Sequence, residues 1–294
     1  MSVLRSPQRE RISVVIATLG GDTLIHTISA LNLGSIVPAE ILVCIPQSES
    51  SRVKSLSIPN VKILVTECRG QVAQRAMGFQ AASYEIVMQI DDDIIVDQDC
   101  LKNLLEALDR EGRNVAVAPS FRSLATGESV YKRADRNHRL QAIYYWLMNG
   151  AAGYEPGKID RSGSAVGVDP AAFENNLIEV EFLAGGCVMH RRENLVLENF
   201  WPLQGKAYYE DLVHSHLLRS KGIKLLVCKC AKCELELFFY KSFGWIAFFR
   251  NLAADFHARR YFMRRCSRES PRIYLYYLAT ILSYTLKRAA SLIR

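Results

Sequence analysis

The stretch Tyr84-Glu85-Ile86-Val87-Met88-Gln89-Ile90-Asp91-Asp92-Asp93 decides how the rest of this chain reads. Ile86 to Ile90 is short, largely apolar and rich in β-branched residues, the pattern of a buried strand. It runs directly into three adjacent carboxylates and then into a second apolar pair, Ile94-Ile95. Three neighbouring negative charges repel one another, so they need a counter-ion, a helix N-terminus or full solvation. Ligands of α/β sheets bind beyond the carboxyl ends of the strands. A D-x-D pair at such an end suits a hard divalent cation that also grips a diphosphate, because Mg²⁺ favours one or two protein carboxylates plus phosphate and water. A solvated acidic turn before the helix starting near Asp99 is the plain alternative, and the triplet by itself does not exclude it.

The neighbouring sequence sets strands and helices in alternation. Arg11 to Leu19 is a β-branched run that stops at Gly20-Gly21. A helix through Leu24, Ile25, Ile28 and Leu31 follows, then strands over Glu40–Ile45 and Val61–Val65. Gly70 to Ala82 reads as a helix with Val72, Ala76 and Phe79 on one face. After Asp99, Leu101, Leu104, Leu105 and Leu108 mark an amphipathic helix, and Asn114–Ala118 another strand. This order predicts βαβ units and a mostly parallel sheet. Further on, Asn137–Met148 is helical in pattern, 149–170 reads as loop, and Val180–Met189 as a strand pair or bulged strand around Gly185-Gly186. A helix over Leu212–Ser220, led by Glu210-Asp211, and a last strand over Ile223–Cys230 complete the region.

Composition bounds the class. The 294 residues are 49% apolar and 23% charged, ordinary for a chain with a sizeable core. Met1 to Arg11 is polar, so no secretory signal is expected. Eight irregularly spaced cysteines do not suggest a disulfide framework, and a reduced, cytoplasmic setting is expected. The net charge of +7 is uneven: residues 237–294 hold 11 Lys and Arg against 2 Asp and Glu. A polar segment at 1–10, a catalytic domain at 11–236 and a basic aromatic tail at 237–294 is the expected division. In that tail Trp245, Phe249, Leu252, Phe256 and Met263 share a helical face beside a stripe of Arg250, His257, Arg260 and Arg264. The layout predicts a peripheral membrane helix rather than a nucleic-acid surface, because the aromatics form one face and do not alternate with the basic residues. Ile273–Leu286 is uncharged over 14 residues, about 21 Å as a helix and short of the ~30 Å hydrocarbon core.

Together these residues resemble a family-two glycosyltransferase. The resemblance rests on the Ala17-Thr18 exit of the first strand, on Gly70-Gln71-Val72-Ala73-Gln74-Arg75-Ala76-Met77-Gly78, on Asp91-Asp92-Asp93, on Gly185-Gly186 with Arg191-Arg192-Glu193, and on Glu210-Asp211. It runs from about Ser13 to Glu236 and implies a GT-A (nucleotide-diphospho-sugar transferase) fold, a Rossmann-like sheet flanked by helices. It implies an inverting, metal-assisted transfer of a sugar from a nucleoside diphosphate, with a UDP-sugar first among donors, to a saccharide or lipid-linked saccharide in glycoconjugate synthesis. Thr18, Arg75, Asp91, Asp92, Gly185 and Gly186 are then expected at the donor, and Asp91 and Asp93 at Mg²⁺ or Mn²⁺. Asp91 and Asp93 lie two apart, on one side if the chain there is extended. Asp211 is expected as the general base with Glu210 supporting it, although carboxylates at a helix start are favoured by the dipole in any case. For Arg75 the plain alternative is a solvated helical arginine.

The sequence departs from the family in two places. The second strand ends in Ile45-Pro46-Gln47-Ser48-Glu49, leaving Gln47 or Glu49 to read the base, and no histidine follows the last strand. Cys228, Cys230 and Cys233 lack a nearby fourth zinc ligand, and His214 and His216, two apart on a helix, do not face the same way. Two other classes remain open: a GT-A-like sugar nucleotidyltransferase, and a non-catalytic membrane-associated scaffold with a degenerate transferase domain.

Overall fold

The computed structural model describes residues 8–132, 138–203, 207–236 and 244–292. Most of the polar N-terminal segment and the head of the basic tail, 237–243, lie outside the described residues. In chain order the elements are β1 (Gln8–Ala17), α1 (Leu24–Leu33), β2 (Ile36–Pro46), β3 (Val61–Thr66), α2 (Gln71–Ala81), β4 (Ile86–Asp91), β5 (Ile94–Val96), α3 (Cys100–Glu111) and β6 (Val115–Ser123). They continue as α4 (His138–Asn149), β7 (Leu177–Glu179), β8 (Cys187–Arg191), α5 (Glu210–Ser220), β9 (Lys224–Leu235), α6 (Trp245–Arg265) and α7 (Arg272–Leu292). The chain divides into two compact units, one of residues 1–132 with 169–239 and one of 133–168 with 240–294. Residues 133–168 therefore group with the tail, a partition that the linear sequence pattern does not display.

The first unit is built on one sheet in the order β3-β2-β1-β4-β8-β6-β9-β5, with β7 beside β9. β3, β2, β1 and β4 run parallel, as the βαβ pattern predicts. The other half is mixed: β8 is antiparallel to β4 and β6, while β6 and β9 are parallel. The difference arises at Val180–Met189. Those residues do not form one bulged strand; 180–186 is irregular, and it carries the chain from β7 on one side of β9 to β8 in the middle of the sheet. β5 is only three residues long, too short to show a period in the sequence.

Successive side chains of a strand face opposite ways, and β1 uses both faces. Val14 and Ile16 point into a cluster with Ile28 and Leu31 of α1 and Leu101, Leu104 and Leu108 of α3. Val15 joins Leu42, Cys44 and Phe79 on the other side, under α2. A strand covered on both faces needs an unbroken apolar run, which is what Ile12 to Ile16 supplies around a single serine. Gly78 sets how close α2 lies to the sheet: a Cβ there would fall 2.4 Å from Val15 Cγ1 and 2.7 Å from Cys44 Sγ.

The second unit contains α4, α6 and α7 and the segment between α4 and β7 as far as Val168. The loop over 149–168 is held by side chains. Asp160 Oδ1 accepts from the backbone N–H groups of Ser162 and Ser164, at 2.8 and 2.9 Å, and closes the turn at Gly163. Arg259 of α6 is buried and donates to Ser162 O and Ser164 Oγ at 3.2 and 2.8 Å. The apolar face predicted for α6 divides along its length: Met263 is buried, whereas Trp245 and Phe249 are exposed. Among the described residues no helix is long and apolar enough to cross a membrane.

Because the Gly78 position has no room for a methyl group, Gly78→Ala is expected to lower stability by about 1–3 kcal/mol through overpacking, despite the better helix propensity of alanine. Urea denaturation checks this, and unchanged stability would mean that α2 can lift from the sheet at no cost.

Candidate active site

The parallel strands β1 and β4 end in register, Ala17 opposite Asp91, so Thr18 and the acidic triplet share one sheet edge. Thr18 is buried, its hydroxyl donates to Asp92 Oδ2, and it accepts the Gly20 N–H at 2.8 Å. Gln74 of α2 ties the end of β1 to that of β2 by donating to Thr18 O and Cys44 O, at 2.9 and 2.7 Å. Asp91 closes β4, and its N–H donates to Gly186 O at 2.8 Å. Asp92 and Asp93 form the turn into β5. The chain is thus not extended from Asp91 to Asp93, and the argument that places the two on one side by strand alternation does not hold. Asp93 is exposed, while Asp91 and Asp92 are half-buried.

Arg75 organises these groups. It is only 4% exposed. Nη2 donates to Asp91 Oδ1 at 3.0 Å and Nη1 to Glu210 Oε1 at 2.9 Å. The solvated alternative for Arg75 is therefore incorrect. The guanidinium joins the end of β4 to the first turn of α5, elements far apart in the chain. Gln71 lies one helical turn before Arg75, so both reach the same carboxylate, and Gln71 Nε2 donates to Asp91 Oδ1 at 2.9 Å.

Glu210 is buried and Asp211 half-buried at the start of α5. The preceding Tyr209 holds a left-handed φ of 65°, uncommon for a residue with a large side chain. Asp211 Oδ1 accepts the Leu212 N–H at 3.0 Å. Glu210 Oε2 is buried without a hydrogen-bond partner among the described residues. Gly185 and Gly186 lie against this group because they lack side chains. A Cβ on Gly185 would meet Glu210 Oε1 at 2.8 Å and Asp211 Cβ at 3.1 Å. One on Gly186 would meet Ile94 Cδ1 at 2.7 Å and Asp91 Oδ2 at 3.3 Å.

Burial and mutual repulsion set the protonation of these acids. Burial, then the charge of Glu210, pushes the Asp211 carboxyl up to about 7. Burial also raises Glu210, against the pull of Arg75. Asp92 is raised by burial and by Asp91, an effect moderated by the Thr18 hydrogen bond. For Arg75 burial works against the charge, but Glu210 and Asp91 outweigh it and hold the guanidinium more firmly protonated. Behind Arg75, His190 of β8 is pushed down to about 3 by burial and by the guanidinium, so it is a neutral ring. His214 lies beside it, 5.5 Å between centroids, and is likewise held neutral by burial and its cationic neighbours.

The donor set suits a hard cation. Asp91 keeps Oδ2 on the side that Gly186 leaves open, and Asp93 lies two residues on at the surface. Among the described residues no group of three His, Cys, Asp or Glu could hold a metal ion unaided. Two carboxylates completed by phosphate and water are the usual Mg²⁺ arrangement. Of the residues proposed for reading a base, Glu49 is paired with Arg52 at 3.1 Å and with Arg69 at 3.4 Å. Gln71, Gln74 and Tyr209 were not evident in the sequence as site residues. The spacing of Gln71 from Arg75 is the one signal that could have found any of them.

The family model described as Glycosyl transferase family 2 matches residues 40–165, a span with Arg75 and Asp91 to Asp93 but not Thr18, Gly185, Gly186, Glu210 or Asp211. No curated protein matches the chain. Among solved structures, that of GalNAc-T7 with UDP, GalNAc and Mn²⁺ aligns with a TM-score of 0.53 at 18% identity, over 80% of this chain and 45% of that one. The chain therefore spans under half the length of that protein. Residues 40–165 thus match the family-two glycosyltransferase model, and the fold is that of the GT-A glycosyltransferases.

Removing the guanidinium would leave the buried Glu210 carboxylate without its cation and the half-buried Asp91 without one of its donors. Arg75→Met is thus expected to destabilise the protein by about 3–5 kcal/mol at neutral pH. It should do less harm near pH 4, where Glu210, raised by burial, gains a proton. Urea denaturation at the two pH values checks the sign, and an equal loss at both would assign the effect to packing.

Proposed function

We propose that this domain acts as a family-two glycosyltransferase and transfers a sugar from a nucleoside diphosphate to an acceptor hydroxyl with inversion, assisted by Mg²⁺ or Mn²⁺. The observation that carries this reading is the Arg75 bridge, which sets a donor-side carboxylate, Asp91, and the Glu210-Asp211 pair about one guanidinium. Thr18, Asp92, Gly185 and Gly186 line the same place and complete the donor side. Asp91 and Asp93 would hold the cation, which supplies charge to the leaving diphosphate. UDP is the first nucleotide to test, since the GalNAc-T7 structure contains UDP and Mn²⁺.

Asp211 is the base in this reading. A base that removes a proton from an acceptor hydroxyl works best with a pKa near the operating pH, and Asp211 sits at about 7. Glu210 is committed to Arg75 and too buried to meet an acceptor, so its part is to hold the guanidinium and raise its neighbour. The acceptor is proposed to be a saccharide or lipid-linked saccharide, met at the cytoplasmic face of a membrane. Support for the membrane comes from the exposed Trp245, Ile246 and Phe249 beside the exposed Arg250, Arg260 and Arg264 of α6. Replacing these three arginines by glutamine should weaken sedimentation with anionic liposomes at low salt, each cation contributing about 1 kcal/mol. Binding that ignores both the variant and the salt concentration would remove the membrane from this reading.

Asp211→Asn separates catalysis from binding. Mn²⁺-dependent UDP affinity, measured calorimetrically, should be retained and abolished by EDTA, while transfer should fall about 10²–10⁴-fold. In the wild type the rate should rise with pH through about 7, as the carboxyl loses its proton. Stability should move the opposite way. A carboxyl raised in the folded state favours folding below its unfolded value and loses that contribution as pH rises through about 7. Without nucleotide or cation, the variant should thus match wild type near pH 3.5 and be more stable than it at pH 8. Normal transfer by Asp211→Asn would place the base elsewhere, with Glu181 next to test.

A further inference from the structure

The second unit holds a groove that the transfer chemistry does not use. It has a volume of about 850 Å³ and lies among α4, α6 and α7. Its wall is largely aromatic, with Tyr144, Tyr145, Phe248, Tyr276 and Tyr284 around Ala279. The rings are fixed before any ligand arrives. Phe248 stacks on Tyr284 with centroids 3.8 Å apart and 7° between planes, and Arg259 lies 3.7 Å over the Tyr276 ring. The polar groups of the wall are the tyrosine hydroxyls, Gln141, Thr280, Ser283 and Lys287, and the Thr280 hydroxyl donates within its own helix, to Tyr276 O at 2.8 Å. Among the described residues no carboxylate lines the groove, and Lys287 is the one charged side chain on its wall.

A saccharide needs hydrogen-bonding groups spread along its length, and among the described residues this wall confines its amide and its charge to Gln141 and Lys287. A hydrocarbon chain needs only apolar surface, and sites for small molecules are concave, mostly apolar and pre-formed. Charge then selects the head group. Residues 133–168 and 240–294 hold 16 Lys and Arg against 5 Asp and Glu, leaving 21 against 25 in the other unit. An amphiphile that places its chain along the aromatic wall and an anion at Lys287 complements both the shape and the charge. A second copy of this chain fits less well, because two such basic units would repel.

We propose that this groove binds the hydrocarbon chain of a lipid phosphate, the carrier of the sugar acceptor; that last assignment rests on the transferase reading above. Dodecyl phosphate, kept below its micelle concentration, is the probe, titrated calorimetrically into the full chain. Saturable binding with one site per chain is expected. Ser283→Trp, at an exposed lining position, fills the groove from its rim and should weaken binding at least about ten-fold, the loss expected from displacing about two methylenes. Lys287→Gln should weaken dodecyl phosphate about five-fold, the effect of one screened cation, and leave dodecanol unchanged. No saturable binding, or binding equal in Ser283→Trp, would overturn the groove as a lipid site. Equal effects of Lys287→Gln on phosphate and alcohol would overturn the phosphate. UDP with Mn²⁺, titrated into the same proteins, keeps the two readings apart. Donor binding without dodecyl phosphate binding sinks the groove and leaves the transferase, and the reverse result sinks the acceptor assignment while the lipid site stands.

Discussion

Arg75 is an almost fully buried arginine that holds one carboxylate 16 residues away and another 135 residues away. Taking such a charge out of water costs several kcal/mol, and only well-placed partners offset it. The surrounding geometry follows from that requirement. α2 must begin where Gln71 and Arg75 share a face toward Asp91, β4 must stop at Asp91, and α5 must start with Glu210. The strain at Tyr209 sits at this same joint, where the chain enters α5 in a left-handed conformation. The ion pairs are weak evidence for stability in themselves, but they fix register between elements that no local interaction connects.

The glycines supply the second half of the same constraint. Acidic groups on three elements converge only if the backbone between them occupies little space. Gly185 and Gly186 admit the approach to Glu210 and Asp91, while Gly78 seats α2, and with it Arg75, flush against Val15 and Cys44. In each case the hydrogen is needed for proximity rather than for a left-handed backbone. None of the three has the positive φ that a turn glycine shows. Family resemblance draws attention to these positions, and the contact distances give the physical cause.

What could be read in the sequence divides along the same line. Elements whose apolar residues repeat with a clear period were legible: the doubly covered strands β1, β2 and β4, and α3 with its leucines at 101, 104 and 108. Of the motif pieces, Thr18 lies beside Asp92, Gly185 beside Glu210 and Gly186 beside Asp91, whereas Arg191 and Glu193 pair with Asp109 and Arg113 instead. The burial of Arg75 was not legible, because nothing local distinguishes a helical arginine facing water from one facing two distant acids. Nor was the irregular path over Val180–Gly186, since a buried strand and a buried close-packed loop have the same composition. The grouping of 133–168 with the tail includes Arg259 reaching Ser162 and Ser164 across 97 and 95 residues of sequence, and no period encodes that.

The two units also treat apolar surface differently. In the first, the alternation along β1 is satisfied on both faces, and Val14, Val15 and Ile16 have no exposure. In the second, α7 buries Ile273 and Tyr277 but leaves Leu275, Leu278, Leu282 and Leu286 in water at spacings of 3, 4 and 4. Four leucines on one helical face would normally mark the side turned to a core. Burying a leucine fully contributes about 1.5–3 kcal/mol, so this stripe is a sizeable favourable energy that the unit does not use on itself. An isolated exposed leucine needs no explanation, but a continuous stripe on a strongly basic unit does. The charges also bear on which surfaces could take that energy up. Arginine stems pack along apolar surface while their heads stay in water, so a basic leucine-striped helix can meet an anionic interface without burying an unpaired charge. A neutral or basic protein surface would gain the apolar area but would have to accommodate the cations, which is the charge argument behind the membrane contact proposed above.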